Sequence, residues 1–321
     1  MKVESLRTHE ELAALDRWLP NAVKRFGTSG YGQSVEPELT RASLAERIAS
    51  PNALYAGMVG GDEPGLVIVE HSRWEESVIG RPFARVAFLG AETHQTALAL
   101  LREAVRAMSE RSVVLARASS GNHPGYVHVA FGDAGFYVAS QLMTLSADID
   151  VVWAKLARLP ECRTCRFATP ADADALVRVA AGAFTGSRFL TDPYFPAEWG
   201  NQLYAAWTRK LATTDEHRLV VVEEDGVIRG FGNVQRDVTK APEAPGLFVV
   251  AREAQGSGLG ALLLRRVIEA YRDAGSGYPL ITTEKSNAAV NGLYFRLGFR
   301  LENVNAVYHW TPSRPLPGSG S

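Results

Sequence analysis

The residues best suited to chemistry lie between Val249 and Gly260, where Gln255, Gly256, Ser257, Gly258, Leu259 and Gly260 join a β-rich run to an amphipathic helical pattern. Three glycines at alternate positions let a turn expose successive backbone N–H groups, with a helix starting directly behind them. Convergent donors and a helix dipole suit a diphosphate. The same glycines would also serve a tight strand-to-helix turn that binds nothing. A nucleoside-triphosphate loop needs Gly-Lys followed by Ser or Thr, whereas Ala261 follows Gly260 here. A dinucleotide fingerprint needs a parallel βαβ setting, and the strand before this loop follows a hairpin pattern.

Other side chains with chemical potential are scattered. Glu284 ends a strand pattern and His309 lies in the last one; either could relay a proton, and so could a water chain. Arg188 could grip a phosphate or carboxylate with two parallel hydrogen bonds, or form a salt bridge. Tyr204 and Trp207, three apart on a helical pattern, offer stacking surface or core packing. The two cysteines, Cys162 and Cys165, lack a second ligand pair, so no metal site is expected. If a strand started at Cys162, their Cα atoms would lie about 10 Å apart, too far for a disulfide. The pair is therefore expected to be incidental.

The elements that must position these groups fall into two series. In the first, helical stretches cover Glu10 to Phe26 and Ser43 to Ile48, separated by a Gly-rich turn at Gly27 to Gly32. Strand patterns follow at Gly65 to Val69, Arg85 to Leu89, Val113 to Ala116 and Tyr137 to Leu145. A helix from Gln95 to Met108 places Leu98, Leu101, Val105 and Met108 on one face. The second series runs through a helix ending near Ala183 and a hairpin over His217 to Gln235 turning at Asp225-Gly226. Strands at Gly246 to Ala251, Pro279 to Thr283 and Val304 to Trp310 complete it, with helices at Leu259 to Ala274 and Ala288 to Leu297.

Phe131 to Phe136 echoes Tyr294 to Phe299, each before a strand and after an Asn-containing loop, at Asn122 and Asn287. This weak repeat implies two related α/β units. The expected division is a first domain over 1–150, a linker over 151–162, a second domain over 163–312 and a flexible tail over 313–321.

The chain has 321 residues, 46% apolar, with 34 Lys and Arg against 35 Asp and Glu. That is enough for two cores, and the near-zero charge gives no field for nucleic acid. No apolar run reaches the roughly 18 residues that span a bilayer, and no signal-peptide core opens the chain. A cytoplasmic protein, monomeric or homodimeric, is expected.

With Gln255-x-x-Gly258-x-Gly260 and, beyond a helix and a strand, Asn287 followed by Leu293-Tyr294-x-x-Leu297-Gly298-Phe299, the second half resembles the GCN5-related N-acetyltransferase (GNAT) superfamily. The resemblance covers roughly Arg163 to Trp310. It implies a mixed α/β fold, a mostly antiparallel central sheet with flanking helices, in tandem with a degenerate GNAT-like first domain. It implies acetyl-coenzyme A, or another acyl-coenzyme A, as co-substrate and a small-molecule amine as acceptor. The backbone of Val249, Val250 and Ala251 would stabilise the oxyanion, Asn287 would support the pantetheine arm, and Tyr294 would protonate the departing thiolate.

More narrowly, Ser187-Arg188-Phe189 with Asp192, Tyr204 and Trp207 resembles the group that includes TDP-fucosamine acetyltransferase, which acylates nucleotide-linked amino sugars. Leu190 departs from that group's usual His. Acylation of an antibiotic, peptide or amino-acid amine is the alternative, and a non-catalytic coenzyme A-binding protein a further one. In the first half, residues 90–96 lack spaced glycines and Phe131 stands where Tyr294 stands, so one active site is expected.

Overall fold

The computed structural model describes residues 2–6, 8–26, 40–120, 123–215, 217–236, 246–275 and 280–314. The Gly27 to Gly32 turn, Asn122, Pro279 and the end of the tail lie outside them. Two compact units emerge: among the described residues one comprises those up to 142 together with 304–314, the other those from 143 to 303.

The first unit opens with a short strand, β1 (Glu4–Ser5), a 3-10 helix (His9–Leu15), α1 (Leu19–Phe26) and α2 (Arg41–Ala49). A single helix from Glu10 to Phe26 was expected; the structure breaks it between Leu15 and Leu19. Strands β2 (Ala53–Val59) and β3 (Gly65–His71), helix α3 (Arg73–Ile79) and β4 (Phe83–Ala91) follow, then α4 (His94–Glu110), β5 (Leu115–Ser120), α5 (Gly125–Asp133) and β6 (Tyr137–Ser146), whose residues from Met143 on belong to the second unit. Antiparallel pairing joins β1 to β4 in order, and β4 then pairs with β5 in parallel. Helix α4 buries Ala97, Leu100, Leu101, Ala104 and Met108, leaving Leu98 and Val105 only half-buried. Small alanines let the helix lie close to the sheet, which rotates the expected apolar face by about one position.

The second unit contains α6 (Ile149–Leu156), β7 (Cys165–Phe167), α7 (Ala173–Ala180), α8 (Arg188–Thr191), α9 (Ala197–Thr213), β8 (His217–Glu224), β9 (Val227–Gln235), β10 (Phe248–Val250), α10 (Leu259–Asp273), β11 (Leu280–Glu284) and α11 (Ala288–Leu297). Strands β10, β9, β8 and β7 form an antiparallel sheet in that order. The β8–β9 hairpin turns at Asp225 and Gly226, whose φ values of 51° and 74° are those of the tight turn that matches strand twist. Leu259, Leu263, Leu264, Val267 and Ile268 form the buried stripe of α10.

Three features depart from the sequence expectation. Residues 145–163 do not form only a polar connection: Ile149, Val152 and Leu156 make α6 amphipathic, and it packs with Leu264, Ile268, Tyr294 and Leu297 in the second unit's core. The last strand, β12 (Arg300–Trp310), gives residues 306–310 to the first unit, where they pair antiparallel with β5 from Ala306↔Ser120 to Trp310↔Ala116. The compact units are therefore discontinuous where a simple split near residue 150 was expected. Finally, the strand starts at Cys165 and a turn over Arg163 and Thr164 separates it from Cys162; the two Cα atoms are 5.3 Å apart and the cysteines form a disulfide. A strand rise assigned to a tight turn accounts for the erroneous 10 Å expectation.

Candidate active site

Strand β10 occupies one edge of its sheet, with β9 on one side, and β11 is not its neighbour on the other. Val249 faces Phe231 across the ladder, Leu247 C=O accepts from Asn233 N–H and Ala251 N–H donates to Arg229 C=O. By antiparallel alternation, the polar backbone groups of Phe248 and Val250 point toward the unpaired edge. The Gln255 side chain donates from Nε2 to Val250 C=O at 3.1 Å. The Val250 N–H is left as the edge donor nearest the glycine turn.

Glycines in β9 let the backbone reach this position. A Cβ at Gly230 would stand 2.8 Å from Val249 O, and one at Gly232 would meet Phe248 and Val267 at 2.9 Å. The alternating Gly230-Phe231-Gly232 pattern is a signal for close approach that the sequence expectations did not include.

Beyond a 3-10 turn over Arg252–Ala254, Gly256 and Gly258 adopt φ values of 82° and 92°. A Cβ at either would meet nothing within 4 Å. Backbone conformation, not crowding, therefore demands glycine at both positions. Ser257 Oγ donates to Ala254 C=O and accepts a long 3.4 Å contact from Leu259 N–H. Gly258 C=O accepts from Ala261 and Leu262. Among the described residues no acceptor is found for the N–H groups of Gly256, Ser257, Gly258 and Gly260. The residues are exposed apart from the half-buried Gly260, so a concentrated set of donors faces outward at the N-terminus of a 15-residue helix. These groups fit a diphosphate: the donors need acceptors, no side chain fills the cradle, and the dipole favours negative charge.

Tyr294 lies on α11 with its ring 5.1 Å from Phe299, within the core formed by Leu264, Ile268 and Leu297. Burial alone pushes its phenol above the usual value near 10, so it remains protonated at neutral pH. Asn287 caps α11 by accepting the Val290 N–H at 3.3 Å, leaving its exposed amide nitrogen as the group able to meet a ligand. One turn later, buried Asn291 donates to the carbonyls of Glu284 and Lys285, both at 3.1 Å. It ties the end of β11 to the helix bearing Tyr294, a role the sequence reading missed although Asn287 and Asn291 share an i, i+4 spacing.

Arg188 and Glu284 come together. Arg188 Nη1 lies 3.4 Å from Glu284 Oε1, with side-chain exposures of 8% and 16%, and the guanidinium carbon sits 4.2 Å over the Phe189 ring. Neither group thus acts in isolation, as the separate readings of anion clamp and base had assumed. Tyr204 is sandwiched: Phe184 stacks at 4.0 Å and 4°, Trp207 at 5.9 Å and 9°. Tyr204 is 8% exposed and offers no open face, whereas Phe184 and Trp207 are half-buried. His309 belongs to the other compact unit, fully buried with its ring edge-on to Tyr137 at 6.2 Å.

Comparison with known proteins agrees with this geometry. Residues 188–299 match the Acetyltransferase (GNAT) family, a span holding the glycine turn, Glu284, Asn287 and Tyr294. That span resembles a GNAT-type acetyltransferase domain. The protein is an acyltransferase enzyme, with a mixed α/β GNAT-like fold consistent with a tandem two-domain architecture. A tandem GNAT protein from the clavulanic acid biosynthesis pathway superposes with a TM-score of 0.54 at 13% identity, covering 98% of this chain and 99% of that one. A GCN5-related N-acetyltransferase from Sphaerobacter thermophilus gives 0.58 at 12% identity, covering 97% and 95%. In sequence, the chain is 24% identical over 254 residues to the spore coat polysaccharide biosynthesis protein SpsD of Bacillus subtilis, covering 78% of this chain and 85% of that protein. The GNAT fold confers a capacity for acetyl-coenzyme A, and among the described residues no helix is long and apolar enough to cross a membrane.

Proposed function

We propose that the enzyme transfers an acetyl group from acetyl-coenzyme A to a primary amine of a small polar substrate, with both substrates bound together. The observation that carries this reading is the set of N–H groups of Gly256, Ser257, Gly258 and Gly260, without an acceptor among the described residues, beside the unpaired edge of β10. The thioester supplies an activated acyl carbon. The turn binds the diphosphate, Val250 N–H donates to the thioester oxygen as charge builds on it, and Asn287 Nδ2 holds the pantetheine arm. Tyr294, kept protonated by burial, gives its proton to the leaving sulfur.

On the acceptor side, the Arg188–Glu284 pair faces the amine: Glu284 attracts the substrate ammonium and takes the proton the nitrogen must lose before it attacks, and Arg188 holds that carboxylate in place. Trp207, half-buried beside Tyr204, supplies an aromatic surface. His309 remains a proton-relay proposal and Tyr204 becomes a support for Trp207. A carbohydrate amine, including one on a nucleotide-linked sugar, is the acceptor we favour; the relative named for polysaccharide biosynthesis supports that choice.

Coenzyme A release should be measured with the full chain, acetyl-coenzyme A and three amine classes: nucleotide-linked amino sugars, amino acids and aminoglycosides. Turnover greatest with the amino sugars is expected. Preference for another class would remove the carbohydrate assignment, and binding without any turnover would remove catalysis.

A further inference from the structure

Cys162 and Cys165 are the only cysteines in the chain, and the acyl-transfer chemistry uses neither. They are bonded to one another across three positions, and both residues are half-buried, within reach of a small reagent. The turn that brings them together has backbone hydrogen bonds of its own. Cys165 N–H donates to Cys162 C=O at 3.2 Å, and Glu223 N–H donates to Thr164 C=O at 3.1 Å. Cys165 then enters the β7 ladder opposite Val222, and Arg166 is anchored to Asp172 and Glu223 at 2.8 and 2.6 Å. Closing a ring across so short a separation restricts the unfolded chain far less than a long-range cross-link would. This disulfide therefore contributes little to holding the fold, while the fold holds the two sulfurs in reach of each other whether or not they are bonded.

We propose that Cys162 and Cys165 form a reversible dithiol–disulfide site that exchanges with small thiols and disulfides in the folded protein. In the reducing direction a thiolate attacks one sulfur, forming a mixed disulfide and releasing the other cysteine as a thiolate, which takes a proton. A second thiolate attacks the reagent sulfur of that mixed disulfide, forming the small-molecule disulfide and freeing the second cysteine, which is also protonated. The protein gains two electrons and two protons, and two small thiols are oxidised. The reverse reaction uses a small disulfide such as oxidised glutathione. Thr164 Oγ1 lies 4.0 Å from Cys162 Sγ and can turn its hydroxyl toward the thiolate. A Cys-x-x-Cys spacing also favours the thiolate, because each sulfur has its partner close by.

The test is to equilibrate the full chain with glutathione at a series of reduced-to-oxidised ratios, quench with acid, alkylate and count labels by mass. Two labels per chain in reducing buffer and none in oxidising buffer are expected, interconverting in one reversible transition. Far-UV circular dichroism should be unchanged, and the thermal midpoint should move by less than about 8 °C. Cys162→Ser should accumulate a mixed disulfide with one glutathione on Cys165, because the resolving thiol is gone. Resistance to reduction until denaturant is added would overturn the proposal. Two labels at every ratio, or unfolding coincident with reduction, would do the same.

Discussion

In each unit a strand runs into the N-terminus of a long helix, β4 into α4 and β10 into α10, yet the two junctions are finished in opposite ways. In the first unit β4 pairs with β5 only from Phe83↔Leu115 to Arg85↔Arg117. Beyond that pairing its carbonyls are taken by the protein itself: His123 Nε2 donates to Leu89 C=O at 3.1 Å and Tyr126 hydroxyl to Ala91 C=O at 2.8 Å. Glu92 follows, its carboxylate held by Trp18 Nε1 at 2.6 Å and Arg25 at 2.8 Å, and Thr93 caps α4. In the second unit the corresponding turn is glycine with outward donors, and β10 keeps an open edge. One junction has satisfied its polar groups internally and placed an anion at its helix; the other leaves donors for a ligand. A shared architecture therefore sets where a site can form, and a few side chains decide whether it remains available.

The largest effect that should sharpen this contrast concerns Tyr294. Tyr294→Phe should lower turnover about 10- to 1,000-fold with cofactor affinity changed less than about twofold, measured by steady-state kinetics and calorimetry. Unchanged turnover with chemistry limiting the rate would remove the phenol from the mechanism. Next, Gly258→Val forces a β-branched residue to φ near 92°. Coenzyme A should bind about 30-fold more weakly as the turn shifts its donors. Wild-type affinity in this variant would show that the turn does not cradle the diphosphate.

Arg188→Ala should raise the acceptor KM about tenfold while coenzyme A affinity stays constant, since it removes the guanidinium that holds Glu284 at 3.4 Å. An unchanged KM would exclude the pair from acceptor recognition. The smallest catalytic effect is expected in the first unit. Burial lowers the His123 pKa from 6.5 to about 4. The unfolded chain therefore takes up this proton first as pH falls. The stabilisation is complete above about pH 6.5 and is lost toward pH 4, by up to about 3 kcal/mol. His123→Gln should flatten that part of the stability curve without altering turnover at neutral pH. A curve as steep as that of the wild type would assign the acid sensitivity elsewhere.

Much of the second unit was legible because its signals are local. The Asp225-Gly226 turn, the buried period of α10 and the helix Ala288–Leu297 each follow from neighbouring residues. The glycine turn was legible for the same reason, since positive φ at Gly256 and Gly258 is a backbone requirement written in residue type. What escaped depends on partners distant in sequence. Nothing near Arg188 announces Glu284, and Tyr204 cannot be known as a sandwiched ring until Phe184 is placed against it. Likewise, Val304 to Trp310 reads as a strand, but its partner β5 lies nearly 200 residues earlier and belongs to the first series of elements. Filling of the first unit's junction by His123 and Tyr126 was equally hidden, since both lie more than thirty residues from the carbonyls they meet.

Calorimetric titration of acetyl-coenzyme A into the full-length protein tests the contrast most directly. Binding at one site per chain, weakened about 30-fold by Gly258→Val and untouched by His123→Gln, is the expected result. A stoichiometry near two, or one site that survives the glycine substitution at full strength, would contradict the assignment of the open junction in the second unit as the cofactor site.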